Sequence, residues 1–472
     1  MTKEVAQMKE VTGALLDLAQ NTRYEDIPDD VIHEMKRLLV DGLGDALGGL
    51  ASDKGKFGIG FARRIGGTPE STVIGVGFKA AAPIAAFANS ELLNGLDLDP
   101  IPHIPPIVVP AVLAVAEAQH ASVKEFLRAL TIGHDIALRL NRVFGMHMMN
   151  SLTKYNKVPD INGNSNEHII GAAVGSAMLM GLDREQMAHA LGISAYLCPL
   201  PSCTDWESTI PKSMIKYAPV SWCAQGAVQA AMMAADGYTG NEHTLDSKFG
   251  FPAIYMRDVQ WDPDTVLKGI GETWGVLDTM YKPYPCCRFL HASLDVFYKL
   301  KKEYGFSGAD ITEVRCNTGP FTPHPDQYAI NNQVDAQFSG PYNIAVAAYD
   351  FAPGPQWQDN QRLRDPRILE LAHKVRMIVA PEYAEYKKTI PYSFYSRVEV
   401  DLKDGRTVSD HTLTPRGGNH GDTRLSDEEL SKRFETCATT ILPNHKIDKA
   451  LDYIWNLDKL DSLDTLIESL CL

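Results

Sequence analysis

SRVEVDLKDGRTVSDHTL, residues Ser396 to Leu413, decides how this chain is built. Val398, Val400 and Leu402 alternate with charged residues, the two-residue period of a strand with one buried face. Asp404-Gly405 supplies a turn, and a second β-branched run begins at Thr407, so the stretch reads as a β-hairpin. ITEVRCN (311–317) and KVRMIVA (374–380) have the same character. Before about residue 270 the pattern is different.

There the apolar residues recur at helical steps. From Asp29 to about Leu50, Ile32, Met35, Leu38, Leu39 and Leu43 form one face behind Pro28, and Gly42, Gly44, Gly48 and Gly49 mark close helix contacts or the helix end. Ser122 with Glu125, and Asp183 with Gln186, are capping boxes ahead of further helices. Ser221 to Gly240 reads as an alanine-rich core helix. Downstream, SDEELSKRFE, KALDYIWNL and LDTLIESL return to helical periodicity. The chain is therefore expected to be mainly α. A large all-helical domain, 1–270, is completed by C-terminal helices, 413–472, around a smaller inserted α+β lid domain, 271–412. Clefts between domains are favoured ligand sites.

The bulk numbers bound the function. A chain of 472 residues exceeds one ordinary core, and 44% hydrophobic with 22% charged residues is the balance of a folded, soluble protein. A net charge of -14 argues against a nucleic-acid or acidic-membrane partner, which needs a basic face. The N-terminus lacks the apolar core of a signal peptide, and Ile169 to Leu182 is too short to span a bilayer, so a cytoplasmic location is expected. The eight cysteines include no C-x-x-C pair and no Cys/His cluster at zinc spacing, so neither a metal site nor disulfides are expected. Adjacent Cys286 and Cys287 read as packed thiols.

Several motifs carry no chemistry. GIGFARRIGG lacks the preceding strand and third glycine of a nucleotide fingerprint, and neither a Walker sequence nor a Gly-x-Ser-x-Gly elbow is present. His420 reads as part of a solvated glycine-rich turn. Three stretches remain. In ANSELLNGLDLDPIPHIPPIVVPAV, Asp97, Asp99 and His103 fall in or beside a proline-rich turn, where a carboxylate can fix the tautomer of an imidazole or raise its basicity. In IPKSMIKYAP, Lys212 and Lys216 precede a helix whose dipole disfavours them, which suggests that they hold an anion or act as tuned bases. In YKPYPCCRFLH, Lys282, Arg288 and His291 suggest binding groups for an anionic di- or tricarboxylate.

Together with FANSELLNGLDLD, HIPPIVVPAVLAVAE, GAAVGSAMLMGLDREQMAHALGIS, AAMMAADGYTG, QFSGPYNIAVA, the DGRTVS hairpin and LSDEEL, these stretches resemble the MmgE/PrpD family over nearly the whole chain. That family includes 2-methylcitrate dehydratase, cis-aconitate decarboxylase and iminodisuccinate epimerase. The resemblance implies a homodimer and chemistry on small polycarboxylates without metal or cofactor. It puts Asp99 on the family's active-site aspartate and His103 on the histidine after the variable turn. Lys216 falls on the lysine before the central helix, Lys282 on the lysine opening the lid motif, and His291 on a recurrent histidine. Cys287 lies where members differ. Departures are Pro100 in place of a second aspartate, Pro219 in place of a histidine or similar residue, and Asn162 at the family's helical-domain histidine, with His168 nearby but out of register.

The expectation is a lyase, foremost a dehydratase of a 2-methylcitrate-like hydroxy acid. His103 would be its acid/base, Asp99 the orienting group, Lys216 a base or carboxylate anchor, and Lys282 an anchor supported by Arg288 and His291. An iminodisuccinate-like epimerase, a cis-aconitate-type decarboxylase and a non-catalytic carboxylate binder are the alternatives.

Overall fold

The computed structural model describes residues 10–144, 163–200, 202–255, 261–320, 327–389 and 394–472. Its larger core is helical. Helices Asp29–Gly49, Ala82–Leu93, Pro105–Ala118, Val123–Phe144, His168–Leu179, Arg184–Leu197 and Val220–Ala235 bury alanine, valine, leucine and isoleucine against one another. The capping boxes form as read: Asp183 and Gln186 exchange backbone bonds at one helix start, and Ser122 and Glu125 do so at another. Mid-helix glycine costs about 1 kcal/mol relative to alanine, so its presence here needs a reason. A Cβ on Gly171 would lie 2.2 Å from the Gly133 carbonyl oxygen and 2.7 Å from the Ala137 nitrogen. Helices His168–Leu179 and Val123–Phe144 thus touch backbone to backbone.

The C-terminal helices close this core. Asp427–Ala438 lies along Asp29–Gly49, where a Cβ on Gly44 would be 3.0 Å from Phe434 Cα and one on Gly48 would be 3.1 Å from Cys437 Cβ. Gly49 sits against Leu92, whose carbonyl oxygen would be 1.9 Å from an added Cβ. Asn444–Trp455 and Leu463–Ser469 follow, and Leu472 donates its N–H to the Gly75 carbonyl. The glycines of the first long helix therefore serve contacts with both the next layer and the returning chain.

The α+β unit has its own core, running from Tyr284 to Val408. Its sheet has the order Val375–Val379, Ile311–Thr318, Ser396–Leu402, Thr407–Thr412, with the first pair parallel and the others antiparallel. Gly405 takes φ +91° in the hairpin turn, a conformation that suits glycine. Every second residue of Ser396–Leu402 is buried, because helix His291–Tyr304 packs on that hairpin while Gly340–Ala347 packs on Val375–Val379. Trp274, Val276 and Tyr281 belong to the helical core and Tyr284 to the second, so the chain passes between cores at Lys282. GIGFARRIGG lies in and just beyond helix Asp53–Ile65. Among the described residues no helix is long and apolar enough to cross a membrane.

The Gly171 contact generates a stability prediction. Alanine there gains about 1 kcal/mol in helix propensity, but the clash is with backbone, which cannot rotate away, and overpacking costs about 1–3 kcal/mol. Gly171→Ala is expected to lower the urea midpoint with an unchanged m value. An unchanged or raised midpoint would show that the two helices separate freely.

Candidate active site

The site is built on the loop between helices Ala82–Leu93 and Pro105–Ala118. Asp97 takes φ +57° in this loop, a left-handed conformation that aspartate tolerates better than most residues. Lys216 takes φ +58°, which is costly for a lysine and is sustained by its contacts. Ile101 and Met280 exchange both backbone hydrogen bonds, 2.8 and 3.0 Å, and so fix the loop beside Lys282. Two amides of the α+β unit clamp the same loop. Gln337 Nε2 donates to the Gly95 carbonyl at 2.9 Å, and Gln358 Nε2 to the carbonyls of Leu96 at 2.9 Å and Pro285 at 2.5 Å. From the C-terminal helices, Arg433 donates to the Lys282 carbonyl and pairs with buried Asp41 and Asp45.

Asp97 accepts from both lysines. Lys216 Nζ is 2.7 Å from Oδ1 and also donates to the Asn94 carbonyl at 3.1 Å. Lys282 Nζ is 3.0 Å from Oδ2 and 2.9 Å from the Asp97 carbonyl. Beside this cluster His103 Nδ1 lies 2.5 Å from Asp99 Oδ2 and 3.0 Å from the Tyr217 hydroxyl, whose ring stacks on the imidazole at 4.4 Å. Asn94 Nδ2 donates to Asp99 Oδ1 at 3.1 Å and to the Tyr217 oxygen at 2.9 Å. His103 is 8% exposed, against 1% for each lysine, so the imidazole is the group nearest solvent.

Two carboxylates face two ammonium groups, so with His103 neutral the cluster has no net formal charge. Burial pushes the His103 imidazole below its ordinary range, more than Asp99 pushes it up. A neutral imidazole beside a carboxylate must carry its proton on Nδ1, leaving the Nε2 lone pair free. Burial alone would raise the Asp99 carboxyl, but His103, Lys282 and Lys216 hold it well below the usual range. The lysines diverge. Burial lowers Lys216 despite Asp97 and Asp99, whereas at Lys282 those carboxylates outweigh burial and raise it. Among the described residues each ammonium uses two of its three N–H groups on the protein, leaving one.

Asp99, His103, Lys216 and Lys282 are thus brought together. Arg288 and His291 are engaged elsewhere: His291 Nε2 donates to the Cys286 carbonyl at 3.1 Å, and its Nδ1 receives Arg288 Nη1 at 3.1 Å. Arg288 also donates to the Arg416 carbonyl at 2.6 Å. Lys212 donates to the Glu207 carbonyl and lies over the Trp206 ring. Asn162 lies outside the described residues. His168 Nδ1 donates to the His103 carbonyl at 3.2 Å, supporting the backbone of that residue. Sequence reasoning did not assign the central role of Asp97 or the parts of Asn94 and Tyr217. Asp97 and Asn94 were visible in NGLDLD, but nothing in that spacing says that one carboxylate takes both lysines; Tyr217 had only its adjacency to Lys216. Among the described residues no group of three His, Cys, Asp or Glu is placed to hold a metal ion.

Two family models cover most of the chain. Residues 13–264 match the MmgE/PrpD N-terminal domain and residues 284–459 the MmgE/PrpD C-terminal domain. The chain belongs to the MmgE/PrpD family. It is similar to cis-aconitate decarboxylase of Aspergillus terreus, 23% identical over 508 residues covering 100% of this chain and 98% of the relative. It is equally similar, at 23%, to human cis-aconitate decarboxylase, over 97% of this chain and 94% of the relative. The cis-aconitate decarboxylase-like protein oryM of Aspergillus oryzae is also 23% identical, over 97% and 96%. The change of core near residue 282 falls at the gap between the two family models.

Two outcomes follow from these contacts. Arg433→Met leaves Asp41 and Asp45 buried without their cation and frees the Lys282 carbonyl, and breaking such a buried pair costs about 3–5 kcal/mol. A correspondingly lower denaturation midpoint is expected, partly restored by adding Asp41→Asn and Asp45→Asn; a wild-type midpoint would refute the bracing role. The second outcome concerns pH. Burial pushes His134 and His168 down to about 3, against an ordinary value near 6.5. The unfolded chain binds these protons first, so their contribution is complete above about pH 6.5 and is lost as pH falls toward 3. Urea midpoints measured from pH 7.5 to 4.5 should fall, and His134→Gln should make the fall shallower.

Proposed function

We propose that this protein is a lyase that removes a proton beside a carboxylate of a small hydroxy di- or tricarboxylate, with a 2-methylcitrate-dehydratase-like elimination as the leading reaction. The observation that carries this reading is the 2.5 Å contact between Asp99 and His103 Nδ1 in an imidazole that burial keeps neutral. It makes Nε2 a base at neutral pH.

In this scheme His103 Nε2 takes the proton from carbon, and the electron pair moves toward the adjacent carboxylate. Lys282, the lysine whose proton is held more firmly, meets that charge with its remaining N–H. Lys216, the more acidic of the pair, gives a proton to the departing hydroxyl, which leaves as water. Groups whose environments push their pKa values apart are suited to such complementary roles. Asp99 orients the imidazole, while Arg288 and His291 brace the start of the α+β unit. The scheme calls on no cofactor.

A second reading has its own support. The relatives named above are cis-aconitate decarboxylases or like them, which favours loss of carbon dioxide from an unsaturated tricarboxylate. The lysines would then hold the carboxylates, and an acid would protonate carbon.

Proton NMR in deuterated water, with 2-methylcitrate, cis-aconitate and iminodisuccinate as substrates, tests these readings. Alkene formation from 2-methylcitrate is expected. Loss of a carboxylate from cis-aconitate would instead establish the decarboxylase, and deuterium uptake with inversion of iminodisuccinate an epimerase. Binding of these acids without any reaction would leave a carboxylate-binding protein. His103→Gln should lower kcat by about 10²–10⁴ with the fold intact, and kcat/KM of the wild type should hold through the ordinary imidazole range and fall only at lower pH, where the buried His103 is at last protonated. Undiminished turnover by a folded His103→Gln variant would sink the assigned role.

A further inference from the structure

The Tyr217 hydroxyl sits between Asn94 and His103, and counting its hydrogens shows what it has left to give. A phenol has one O–H and two acceptor positions. Asn94 Nδ2 faces the Asp99 carboxylate at 3.1 Å, and the reverse amide orientation would put a carbonyl against that carboxylate. The amide nitrogen therefore donates one hydrogen to Asp99 and its second to the Tyr217 oxygen at 2.9 Å. His103 Nδ1 carries its proton toward Asp99, so it offers Tyr217 no lone pair at 3.0 Å. Neither neighbour takes the phenolic proton. Among the described residues no other acceptor does.

The hydroxyl is also held in place. The ring stacks on His103 at 4.4 Å and is flanked edge-on by Trp206 at 6.1 Å and Phe338 at 6.3 Å. Burial, with Asp99 and Asp97 nearby, keeps the phenol protonated well beyond its ordinary range, so it acts as a donor and not as a base. A buried, fixed donor without an acceptor, next to the imidazole that would meet substrate, is suited to a developing anion.

We infer that Tyr217 is a further substrate-contacting group, donating a hydrogen bond to the carboxylate oxygen that gains charge when His103 removes the neighbouring proton. The O–H bond stays intact; the proton from carbon goes to His103 Nε2 and the electron pair to the carboxylate. This inference rests on the polycarboxylate reading proposed above.

Tyr217→Phe keeps the ring and removes only the hydroxyl. Calorimetric titration with tricarballylate, an unreactive tricarboxylate, should show at least about a 10-fold loss of affinity. Where the wild type turns a substrate over, kcat should fall by about 10²–10³, as when one oxyanion donor is removed. Nitrogen-15 NMR of labelled histidine should find His103 unchanged in tautomer and pKa, because Asp99 fixes the first and burial outweighs Asp99 in the second. A second derivative, 3-fluorotyrosine at position 217, makes the phenol a stronger donor with little change of shape. Its fluorine resonance should move on adding tricarballylate, and affinity should rise. Wild-type affinity in the phenylalanine variant, or a silent fluorine resonance on binding, would overturn the contact. So would a changed His103 tautomer, which would show that the hydroxyl acts only through the imidazole. If the wild type itself neither binds tricarballylate nor turns over any of the three acids, the polycarboxylate reading fails, and this inference fails with it.

Discussion

One carboxylate, that of Asp97, makes the site possible. Two ammonium groups cannot both be taken from water without an anion between them, since each loses its hydration and gains a repulsive neighbour. Asp97 gives one oxygen to Lys216 and the other to Lys282. Its left-handed backbone also turns its own carbonyl onto Lys282. Asp99, two residues on, is then free to serve His103. The alternation of the two aspartates along LDLD separates the charge-holding role from the orienting one.

The rest of the fold holds this loop still. The helical core supplies its ends, and the Met280 bridge brings Lys282 alongside. Gln337 and Gln358 reach in from the α+β unit to carbonyls that would otherwise be buried and unpaired. Arg433 comes from helices near the C-terminus and ties the Lys282 carbonyl to Asp41 and Asp45 on the first long helix. Segments from the beginning, middle and end of the chain therefore meet within one hydrogen-bonded neighbourhood. This accounts for the returning C-terminal helices in functional terms: they close the core and brace a site residue at the same time.

The electrostatics follow from burial acting on opposite charges. Removing water disfavours every ion, and the neighbours decide which group yields. Lys216 yields toward neutrality while Lys282 does not, although both pair with Asp97. His103 is neutral despite Asp99 because its own desolvation is the larger effect. Base, acid and fixed cation can thus arise from one balanced cluster. Among the described residues no acceptor takes the third N–H of either lysine or the O–H of Tyr217, and in the proposed scheme these are the donors that meet an incoming anion.

Local periodicity was enough to read the helical, α+β, helical order, because a helix or strand with one buried face writes its period into neighbouring residues. The hairpin at Asp404-Gly405 and the capping boxes were legible for the same reason. So were the three stretches holding Asp97, Asp99, His103, Lys216 and Lys282, since those residue types are conspicuous beside proline-rich turns and apolar helices. Which of them meet was not legible. Arg288 and His291 looked equivalent to Lys282 along the chain, yet backbone carbonyls and each other take up both His291 ring nitrogens and the Arg288 Nη1. Asp97 and Tyr217 gained their places only through contacts with residues more than a hundred positions away. Sequence by itself determined the elements, their order and the pool of chemical groups, all of which depend on near neighbours. The tertiary structure decided which charges share a desolvated space, because burial and distance arise only when remote segments pack together.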